Sequence, residues 1–397
     1  MKRELLPIYF LIVCAVACTS DRSQTMTVTN LSDIPRHEVV ELDWETPVSD
    51  NLTVSLEGEP LPSEWVDIDK DGKAERLRVL VSLNANEAKE LLIGINEKQV
   101  KDKLTQAELS IKVGGQWTNK EYEGGEFKNV DYLRVPEQHT DHTYYIRYEG
   151  PGWESDKMAY RFYLDWRNGM DVFGKLTPEP VLQQVGQDGF DSYHELGDWG
   201  MDLLKVGSTL GVGSIGRYAN DTLYRFKQTD SVTCAITENG LLKSEITTRY
   251  YGWSDGGTPT DLASVIGIEA GSALTSHKLT FSNPIDNFCT GIVANKGEDY
   301  IDEVVGDYRI LASFGNFSLN NDNMGLAVIL ENNSLKDVKD GAGSHVALFR
   351  PDKEVVYHFM AVWEKGTSAI KSMDEFMVLL RAEANKLNQP LEVTVSN

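Results

Sequence analysis

Positive charge is scarce in this sequence. Its 397 residues include 38 Lys and Arg against 61 Asp and Glu, which gives a formal net charge of −23 at pH 7. A nucleic-acid backbone is bound through a surplus of Lys and Arg, so this balance argues against a nucleic-acid partner. An acidic protein that handles an anionic ligand must therefore gather its few cations at one place.

Closely spaced metal ligands are also scarce. The four cysteines form no CxxC pair and the seven histidines are dispersed, which excludes the common zinc spacings. We predict no metal or other cofactor, with one exception: Asp67, Asp69 and Asp71 precede Gly72 as they do at the start of a calcium loop. Because Arg78 stands where that loop needs a bidentate Glu, an acidic turn is the preferred interpretation, and calcium would be structural.

Apolar runs long enough to span a membrane are missing after the amino terminus. At the amino terminus itself, two basic residues and a short apolar run that ends in small residues precede Cys18, which is typical of a bacterial lipoprotein signal. We predict a signal peptide over residues 1–17, lipidation of Cys18 and a linker over 18–25. The protein would be lipid-anchored in the periplasm or at the cell surface, with the anchor as its only membrane contact; plain secretion is the alternative.

Two cysteines then remain, Cys234 and Cys289. In an oxidising compartment they can form a disulfide, but buried free thiols are an equal alternative.

Helical periodicity is rare, and short alternating apolar runs dominate. Runs broken by prolines predict a small β-sandwich over residues 26–120. From 121 to 397 the strands lengthen, which predicts a large catalytic sandwich of two broad sheets. Ser372 and Glu375 form a capping box before an apolar stripe, so one helix is predicted late in the chain. The fold class is all-β: a large, supersandwich-like two-sheet sandwich, a small amino-terminal sandwich and a late carboxy-terminal helix.

Cations are concentrated around residue 160. If residues 157–167 form one strand, its side chains alternate between two faces, and Met158, Tyr160 and Phe162 share the core face. The other face carries these residues: Lys157, Arg161, Tyr163, Asp165 and Arg167. Arg offers a planar fork to a carboxylate or sulfate and Lys a point charge, so this face suits a bound anion. A solvated face with Arg–Asp pairs is the alternative.

A second polar segment runs from Asp191 to Asp202. Its glycines permit tight turns, which is typical of a loop that projects functional groups. His194 is the candidate for proton transfer because its ordinary pKa is near neutrality. Asp198 can orient it, Trp199 can stack on a sugar ring, and Lys205 follows.

Three further candidate binding residues are His142, Arg217 and Trp253, each with a structural role as its alternative. His139, Asp141 and His142 can also be read as metal ligands, but a surface loop is the favoured interpretation because no third strong ligand adjoins the two histidines.

Three runs, 145–157, 160–168 and 193–202, resemble a family long known only as a domain of unknown function. Its members are lipoproteins or secreted proteins encoded in polysaccharide-utilisation gene clusters of Bacteroidota, and they include the ulvan oligosaccharide dehydratase. The resemblance covers nearly the whole mature chain. It implies an enzyme that removes water from the non-reducing-end uronate of an anionic oligosaccharide and leaves an unsaturated uronyl residue.

The candidate residues suit that chemistry. Elimination needs the uronate carboxylate neutralised, a base at the neighbouring ring proton and an acid at the departing hydroxyl. We predict that Arg161 and Lys157 bind the uronate carboxylate, and that His194 and Tyr163 divide the roles of base and acid. Substrate-binding roles are assigned to His142, Arg167, Asp198, Trp199, Lys205, Arg217 and Trp253.

Three alternatives stay open. A polysaccharide lyase differs from a dehydratase only in its leaving group. A glycoside hydrolase would use two carboxylates, chosen from Asp156, Asp165, Asp198 and Asp202. A non-catalytic glycan-binding lipoprotein would offer tryptophans as stacking surfaces.

Overall fold

A computed structural model describes residues 24–47, 52–95, 98, 100–254 and 257–396. The predicted signal peptide, the lipidation site Cys18 and the start of the linker lie outside these residues. Within them, no helix is both long and apolar enough to cross a membrane.

The amino-terminal strands form a small β-sandwich. They are β1 (Gln24–Thr29), β2 (Arg36–Pro47), β3 (Leu52–Leu56), β4 (Glu59–Pro60), β5 (Ser63–Val66), β6 (Lys73–Leu83) and β7 (Ala88–Ile95). Strands β1, β7, β3 and β4 are neighbours in one sheet, and β2, β6 and β5 form the facing sheet. Alternate residues such as Met26, Val28, Leu77 and Val79 are buried between the two sheets, as the period of a half-buried strand requires.

The middle of the chain contains short strands. They are β8 (Thr105–Glu108), β9 (Ser110–Val113), β10 (Gln116–Thr118), β11 (Glu121–Glu123), β12 (Glu126–Asn129), β13 (Tyr132–Arg134), β14 (Gly152–Ser155), β15 (Ala159–Phe162), β16 (Met170–Lys175), β17 (Gly200–Asp202), β18 (Gly216–Ala219) and β19 (Thr222–Tyr224). Strands β17, β16, β15, β14 and β8 lie side by side in one five-stranded sheet, called here the site sheet.

The last part of the chain carries longer strands and the helix. They are β20 (Ser231–Asn239), β21 (Lys243–Trp253), β22 (Thr260–Glu269), β23 (Thr275–Phe281), β24 (Phe288–Val293), β25 (Asp299–Val305), β26 (Tyr308–Asn316), β27 (Asn323–Glu331), β28 (Leu335–Gly341), β29 (Ser344–Phe349), β30 (Glu354–Trp363), α1 (Met373–Asn388) and β31 (Glu392–Ser396).

These strands complete the large sandwich that the sequence predicts. One nine-stranded sheet has the order β13-β20-β21-β22-β23-β30-β27-β26-β25, and a second five-stranded sheet has the order β19-β18-β24-β29-β28. The main core packs the nine-stranded sheet against the site sheet: the Phe359 ring lies 5.8 Å from that of Tyr160 and 6.3 Å from that of Trp153. The all-β prediction, with its two-sheet sandwich and late helix, is confirmed.

The capping box begins α1 as predicted. Ser372 Oγ accepts a hydrogen bond from the backbone N–H of Glu375 at 3.2 Å, and the Glu375 carboxylate accepts one from the N–H of Lys371 at 2.7 Å. Phe376 and Leu380 bury the apolar side of the helix in the main core.

Two pairings join distant parts of the chain. Strand β8 pairs with β14, and β31 pairs with β1 in the small sandwich. Both cross the limit placed at residue 120, and the division into domains 26–120 and 121–397 stays a prediction. Cys234 and Cys289 are separate buried thiols, and burial raises the pKa of each to about 12.

Candidate functional site

Arg161 occupies the middle of the site sheet. It lies on β15 directly opposite Asp171 on β16, and its side chain is only 2 % exposed. Its guanidinium donates to Asp171 Oδ2 at 2.8 and 3.1 Å and to Asp202 Oδ2 at 2.8 Å. It also donates to the backbone oxygen of Tyr148 at 3.1 Å and to the Tyr193 hydroxyl at 3.0 Å. These contacts use all five of its N–H groups.

The acids beside Arg161 form a buried pair. Burial, together with the nearby charge of Asp171, raises the pKa of Asp202 well above its ordinary value despite the opposing effect of Arg161. Tyr163 donates its phenolic hydrogen to Asp171 Oδ2 at 2.7 Å. Burial and the Asp171 charge also raise the pKa of Tyr163 well above its ordinary value, so this phenol keeps its proton.

Arg167 lies one layer closer to solvent. Its guanidinium stacks over the Tyr163 ring, 4.3 Å from the centroid, and donates to Glu149 Oε1 and Asp165 Oδ2 at 2.6 Å each. Its Nη1 is 2.7 Å from the half-exposed carboxylate of Asp141. Burial opposes ionisation of Glu149, but the charges of Arg161 and Arg167 outweigh it and lower the Glu149 pKa.

His194 reaches this network from the predicted polar loop. It ends a short 3-10 turn, Ser192–His194, and its side chain is 46 % exposed. Its Nε2 lies 3.5 Å from Asp202 Oδ2, and its ring centroid lies 4.6 Å from that of Tyr193. The imidazole is therefore open to solvent and adjoins the carboxyl group that Arg161 holds.

His142 reaches the same network from the other loop. Its side chain is 62 % exposed, and Nδ1 contacts Asp141. Its backbone N–H donates to Glu149 Oε1 at 3.2 Å, and its ring lies 5.1 Å from the Phe190 ring. Its backbone is in the left-handed region at φ 55°, a conformation that concentrates at functional sites when held by other contacts. Two exposed histidines thus border one buried Arg–carboxylate–Tyr network.

Lys157 does not lie beside Arg161, as the sequence analysis expected. Strand β15 begins only at Ala159, because residues 156 and 157 form a turn in which Ser155 Oγ accepts the Lys157 N–H at 3.1 Å. The Lys157 ammonium instead pairs with Asp156 at 2.8 Å. The same strand ends at Phe162, so the expected single face from 157 to 167 is wrong.

The remaining candidates are divided between the site and other places. Trp199 packs edge-on against Phe173 at 5.9 Å, beside Tyr193, whereas Asp198 and Lys205 are exposed. Trp253 is not available as a sugar platform, because it is buried, stacks on Phe226 at 4.4 Å and donates to the Arg225 carbonyl.

Arg217 lies in a different sheet from Arg161. It is on β18, with its guanidinium 5.4 Å from the Tyr224 ring centroid.

In the part of the chain that the structure describes, two groups of side chains have the donors that a metal ion needs. Asp141, His142 and Glu149 bring three ligand atoms within 4.8 Å of one another, but Arg167 already neutralises the two acids. His139 is not part of this group, because it is buried against Thr143 and its pKa falls to about 4.

The second group is the acidic turn before β6. Glu75 joins the predicted acids Asp67, Asp69 and Asp71, with the four ligand atoms within 4.8 Å of one another. The Asp67 carboxylate already accepts the backbone N–H groups of Asp71 and Gly72 at 3.1 and 3.0 Å. These oxygen donors suit calcium.

Sequence reasoning missed Asp171 and Glu149. The Asn168-Gly169 turn signal does not predict Asp171, because a two-residue hairpin there would pair Arg161 with Leu176. The observed loop over residues 163–169 pairs Arg161 with Asp171 instead. Glu149 approaches Arg167 through tertiary packing, for which the sequence also gives no local signal.

The chain matches, over residues 20–393, the family described as "Domain of unknown function (DUF4861)" and belongs to that family. No curated protein matches it. Among solved structures it is similar to an α-mannosidase from Enterococcus faecalis V583, with 10 % identity and a TM-score of 0.47 over 94 % of this chain and 46 % of that one. A glycosyl hydrolase family 38 protein from Enterococcus faecalis gives 10 % identity and a TM-score of 0.46, over 94 % and 47 % of the two chains. The chain thus spans about half the length of these structures.

Proposed function

We propose that this DUF4861 protein is a carbohydrate-active eliminating enzyme that acts on uronic-acid-containing oligosaccharides. In the reaction that we propose, it removes water from the non-reducing-end uronate, as in ulvan degradation, and leaves an unsaturated uronyl residue. The observation that carries the proposal is the pair of exposed histidines, His142 and His194, that border one buried Arg–carboxylate–Tyr network. The resemblance to polysaccharide-utilisation proteins supplies the substrate class.

His194 is the base in this proposal. It takes the proton from the ring carbon that bears the carboxylate, the electron pair forms the new carbon–carbon double bond, and the neighbouring hydroxyl departs as water. His142 supplies the proton to that hydroxyl. Tyr163 is less suited to this transfer than the sequence analysis expected, because its phenol donates to Asp171 and is 8 % exposed. Tyr163 then holds the network together.

Arg167 binds the substrate carboxylate in this proposal. Arg161 has no free N–H group, whereas Arg167 faces the half-exposed Asp141, which can turn towards water and leave its place to the uronate. A guanidinium suits this exchange because its fork matches a carboxylate. Arg161 then becomes a positioning residue that fixes Asp171, Asp202 and Tyr193 beneath the histidines.

A two-carboxylate hydrolase has less support. Asp202 is buried under Arg161, Asp165 is covered by Arg167, and Asp156 pairs with Lys157 at the far end of β15. Of the four candidate acids, this leaves Asp198 exposed and without a second acid beside it among the other three. Two acids that flank a sugar bond must both reach it from solvent. A lyase that cleaves a glycosidic bond by the same steps differs only in the departing group.

The test is incubation with a panel of uronate-terminated oligosaccharides, with product mass and ultraviolet absorbance recorded together. Loss of one water with rising absorbance supports the dehydratase. Chain cleavage with rising absorbance indicates a lyase, gain of one water a hydrolase, and unchanged substrate contradicts an enzyme for that panel. Tyr163→Phe separates the two assignments of the acid: it keeps most of the turnover if His142 is the acid and loses it if Tyr163 is.

The location belongs to the same proposal. The protein is held in the periplasm or at the cell surface by a lipid on Cys18. Incorporation of labelled palmitate by the wild type but not by Cys18→Ala supports it, and equal labelling contradicts it.

A further inference from the structure

The buried carboxyl group of Asp202 lies between the site sheet and the loop that carries His194. Asp202 ends β17, where it pairs with Phe173 on β16, and its side chain is 2 % exposed. Its Oδ1 accepts the backbone N–H of Leu204 at 3.2 Å, and its Oδ2 accepts an N–H of Arg161 at 2.8 Å. A hydrogen bond on each oxygen therefore fixes the orientation of this carboxyl group.

The His194 ring turns one particular nitrogen towards that carboxyl group. Its Nε2 lies 3.5 Å from Asp202 Oδ2. The ring also packs on Tyr193 with the two planes 40° apart and the centroids separated by 4.6 Å. Tyr193 is itself buried, and its hydroxyl accepts an N–H of Arg161 at 3.0 Å. Because Arg161 contacts both Asp202 and Tyr193, one guanidinium fixes the carboxyl group and the ring on which His194 packs.

This orientation decides which nitrogen of His194 can act as a base. A neutral imidazole carries its hydrogen on one nitrogen, and only the other nitrogen has a lone pair that can take a proton. The side chain is 46 % exposed although its Nε2 faces the buried carboxyl group. With the hydrogen on Nε2, the basic nitrogen of His194 is Nδ1.

The surroundings of Asp202 favour a hydrogen on Nε2. Burial and the Asp171 charge raise the pKa of Asp202, so this carboxyl group remains ionised only with the support of hydrogen-bond donors. The Nε2–H of His194 adds a donor to the two already in place. Tyr163 and Tyr193 also face Asp202, but burial raises the pKa of both phenols and neither adds a charge.

We propose that Asp202 is a positioning residue for the base: it accepts the Nε2–H of His194 and so holds the imidazole in the tautomer whose Nδ1 takes the ring proton. This inference rests on the proposed function, because it takes His194 to be the base. The proton of the ring carbon moves to Nδ1, the electron pair of that C–H bond forms the double bond, and the hydroxyl leaves as water with a proton from His142. The imidazolium that remains is stabilised by the ionised Asp202. The 3.5 Å contact shortens when substrate binds, as catalytic hydrogen bonds of unliganded enzymes commonly do.

The tautomer is measured by nitrogen NMR of histidine-labelled protein, so that this test does not require turnover. At about pH 8.5 an ordinary imidazole is neutral, and His194→Asn assigns the signals. We expect the Nε2–H tautomer in the wild type and a mixture of both tautomers in Asp202→Asn, because an amide donates as well as accepts. Asp171→Asn is the matched control and should keep the wild-type tautomer. Asp171 accepts the same 2.8 Å bond from Arg161, but its other side-chain partner is Tyr163.

Steady-state kinetics tests the role of Asp202 in the reaction. We expect Asp202→Asn to lower kcat about 100-fold with little change in KM, because the base is no longer held in its reactive form. The loss in Asp171→Asn should be clearly smaller. Adding Asp202→Asn to His194→Ala should cost no further activity, because Asp202 acts through His194.

Four results would overturn the positioning role. These are an Nδ1–H tautomer in the wild type, an unchanged tautomer in Asp202→Asn, equal losses of kcat in Asp202→Asn and Asp171→Asn, or a further loss when Asp202→Asn is added to His194→Ala. If Asp202→Asn does not fold, Asp202→Ser gives the same comparison, because a hydroxyl also donates and accepts. Absence of turnover together with an Asp202-dependent Nε2–H tautomer would contradict the proposed reaction and leave the contact between Asp202 and His194 standing.

Discussion

Arg161 illustrates how burial decides the role of a cation. A guanidinium that is 2 % exposed and fully hydrogen-bonded cannot bind a substrate without breaking internal bonds. Its positive charge is balanced inside the protein by its contacts with Asp171 and Asp202. The solvent-facing groups around it, Arg167 and the two histidines, are therefore the ones that can meet a ligand.

His194 is the residue whose removal should abolish the proposed reaction. We expect His194→Ala to lower kcat at least about 100-fold, because general-base catalysis contributes that much. The measurement is the initial rate of absorbance increase on a uronate oligosaccharide. His37→Ala, at an exposed histidine of the small sandwich, is the control and should keep the wild-type rate. Turnover by His194→Ala at the wild-type rate would remove His194 from the mechanism.

A substitution of Arg167 tests the proposal that this residue binds the uronate carboxylate. Arg167→Lys keeps the positive charge beside Glu149 and Asp165 but loses the planar fork. We expect KM to rise about 10-fold, roughly one strong hydrogen bond, with a smaller change in kcat. Steady-state kinetics separates the two constants. Arg309→Lys, at an exposed ion pair with Asp302, should leave both unchanged. An unchanged KM in Arg167→Lys would place the carboxylate elsewhere.

At the scale of single elements, sequence signals predicted the structure correctly where the residues that contact each other are close together in the sequence. The cap of α1 needs only residues within one short segment: Ser372 Oγ accepts the Glu375 N–H, and the Glu375 carboxylate accepts the Lys371 N–H. The cation-rich strand failed for the opposite reason. Its alternation was assumed to run through residues 157–167, but the chain turns before Ala159 and again after Phe162 to return along β16. The loop over residues 163–169 thus interrupts the continuous period of two that was assumed.

The site shows the same division. His194 was found from residue type and local density, since exposed polar groups in a glycine-rich loop are a local property, and Arg167 was found from the concentration of cations around residue 160. The carboxylates that contact them come from separate elements: Glu149, before β14, pairs with Arg167, and Asp202, on β17, adjoins His194. Packing of the core determines which acidic side chain contacts which basic one, and this packing cannot be read from a single sequence.

The cap of α1 is measurable by itself. Ser372→Ala should lower the free energy of unfolding by about 1 kcal/mol, because one helix N–H loses its acceptor. The measurement is chemical denaturation monitored by circular dichroism. Ser372→Asp retains an acceptor at the same position and should stay close to the wild type. Equal destabilisation by both variants would show that the hydroxyl contributes through something other than capping.

His345 connects two elements through a pair of acids. Its Nδ1 lies 2.5 Å from Asp340 on β28, its Nε2 lies 2.7 Å from Glu298 just before β25, and its ring stacks on Tyr300 at 3.7 Å. Burial alone would lower the His345 pKa, but hydrogen bonds to Glu298 and Asp340 outweigh it and raise the pKa above 6.5. The protonated ring therefore ties the nine-stranded sheet to its neighbour.

The pH dependence follows from the sign of that shift. Because the folded pKa is the higher one, the stabilisation is complete below the unfolded pKa of 6.5 and is lost as pH rises through the folded pKa. We expect the wild type to lose unfolding free energy relative to His345→Asn as the pH is raised above 6.5. Urea denaturation at a series of pH values from 6.5 upwards measures this loss. Parallel profiles for the two proteins would contradict the shift.

At the scale of the whole molecule, ion pairs connect the two sandwiches in addition to the polypeptide chain. Arg78 on β6 is 2 % exposed and donates both to Glu41 on β2 and to Glu238 on β20 of the nine-stranded sheet. Burial would lower the pKa of Arg78, but these carboxylates raise it. Glu64 on β5 accepts the backbone N–H groups of Leu241 and Leu242 at 2.9 and 3.2 Å, which adds a second link to the large sandwich.

A buried cation that bridges two bodies should govern whether they unfold together. Arg78→Met leaves Glu238 and Glu41 facing each other without a cation, and removing one partner of a buried pair costs about 3–5 kcal/mol. We expect calorimetry to show one unfolding transition in the wild type and an earlier, separate transition of the small sandwich in Arg78→Met. Arg76→Met, two residues away and 40 % exposed, loses only surface pairs with Glu41 and Asp43 and should cost less than about 1 kcal/mol. Identical thermograms for the two variants would mean that the sandwiches are coupled by apolar packing and the β31–β1 pairing, and not by Arg78.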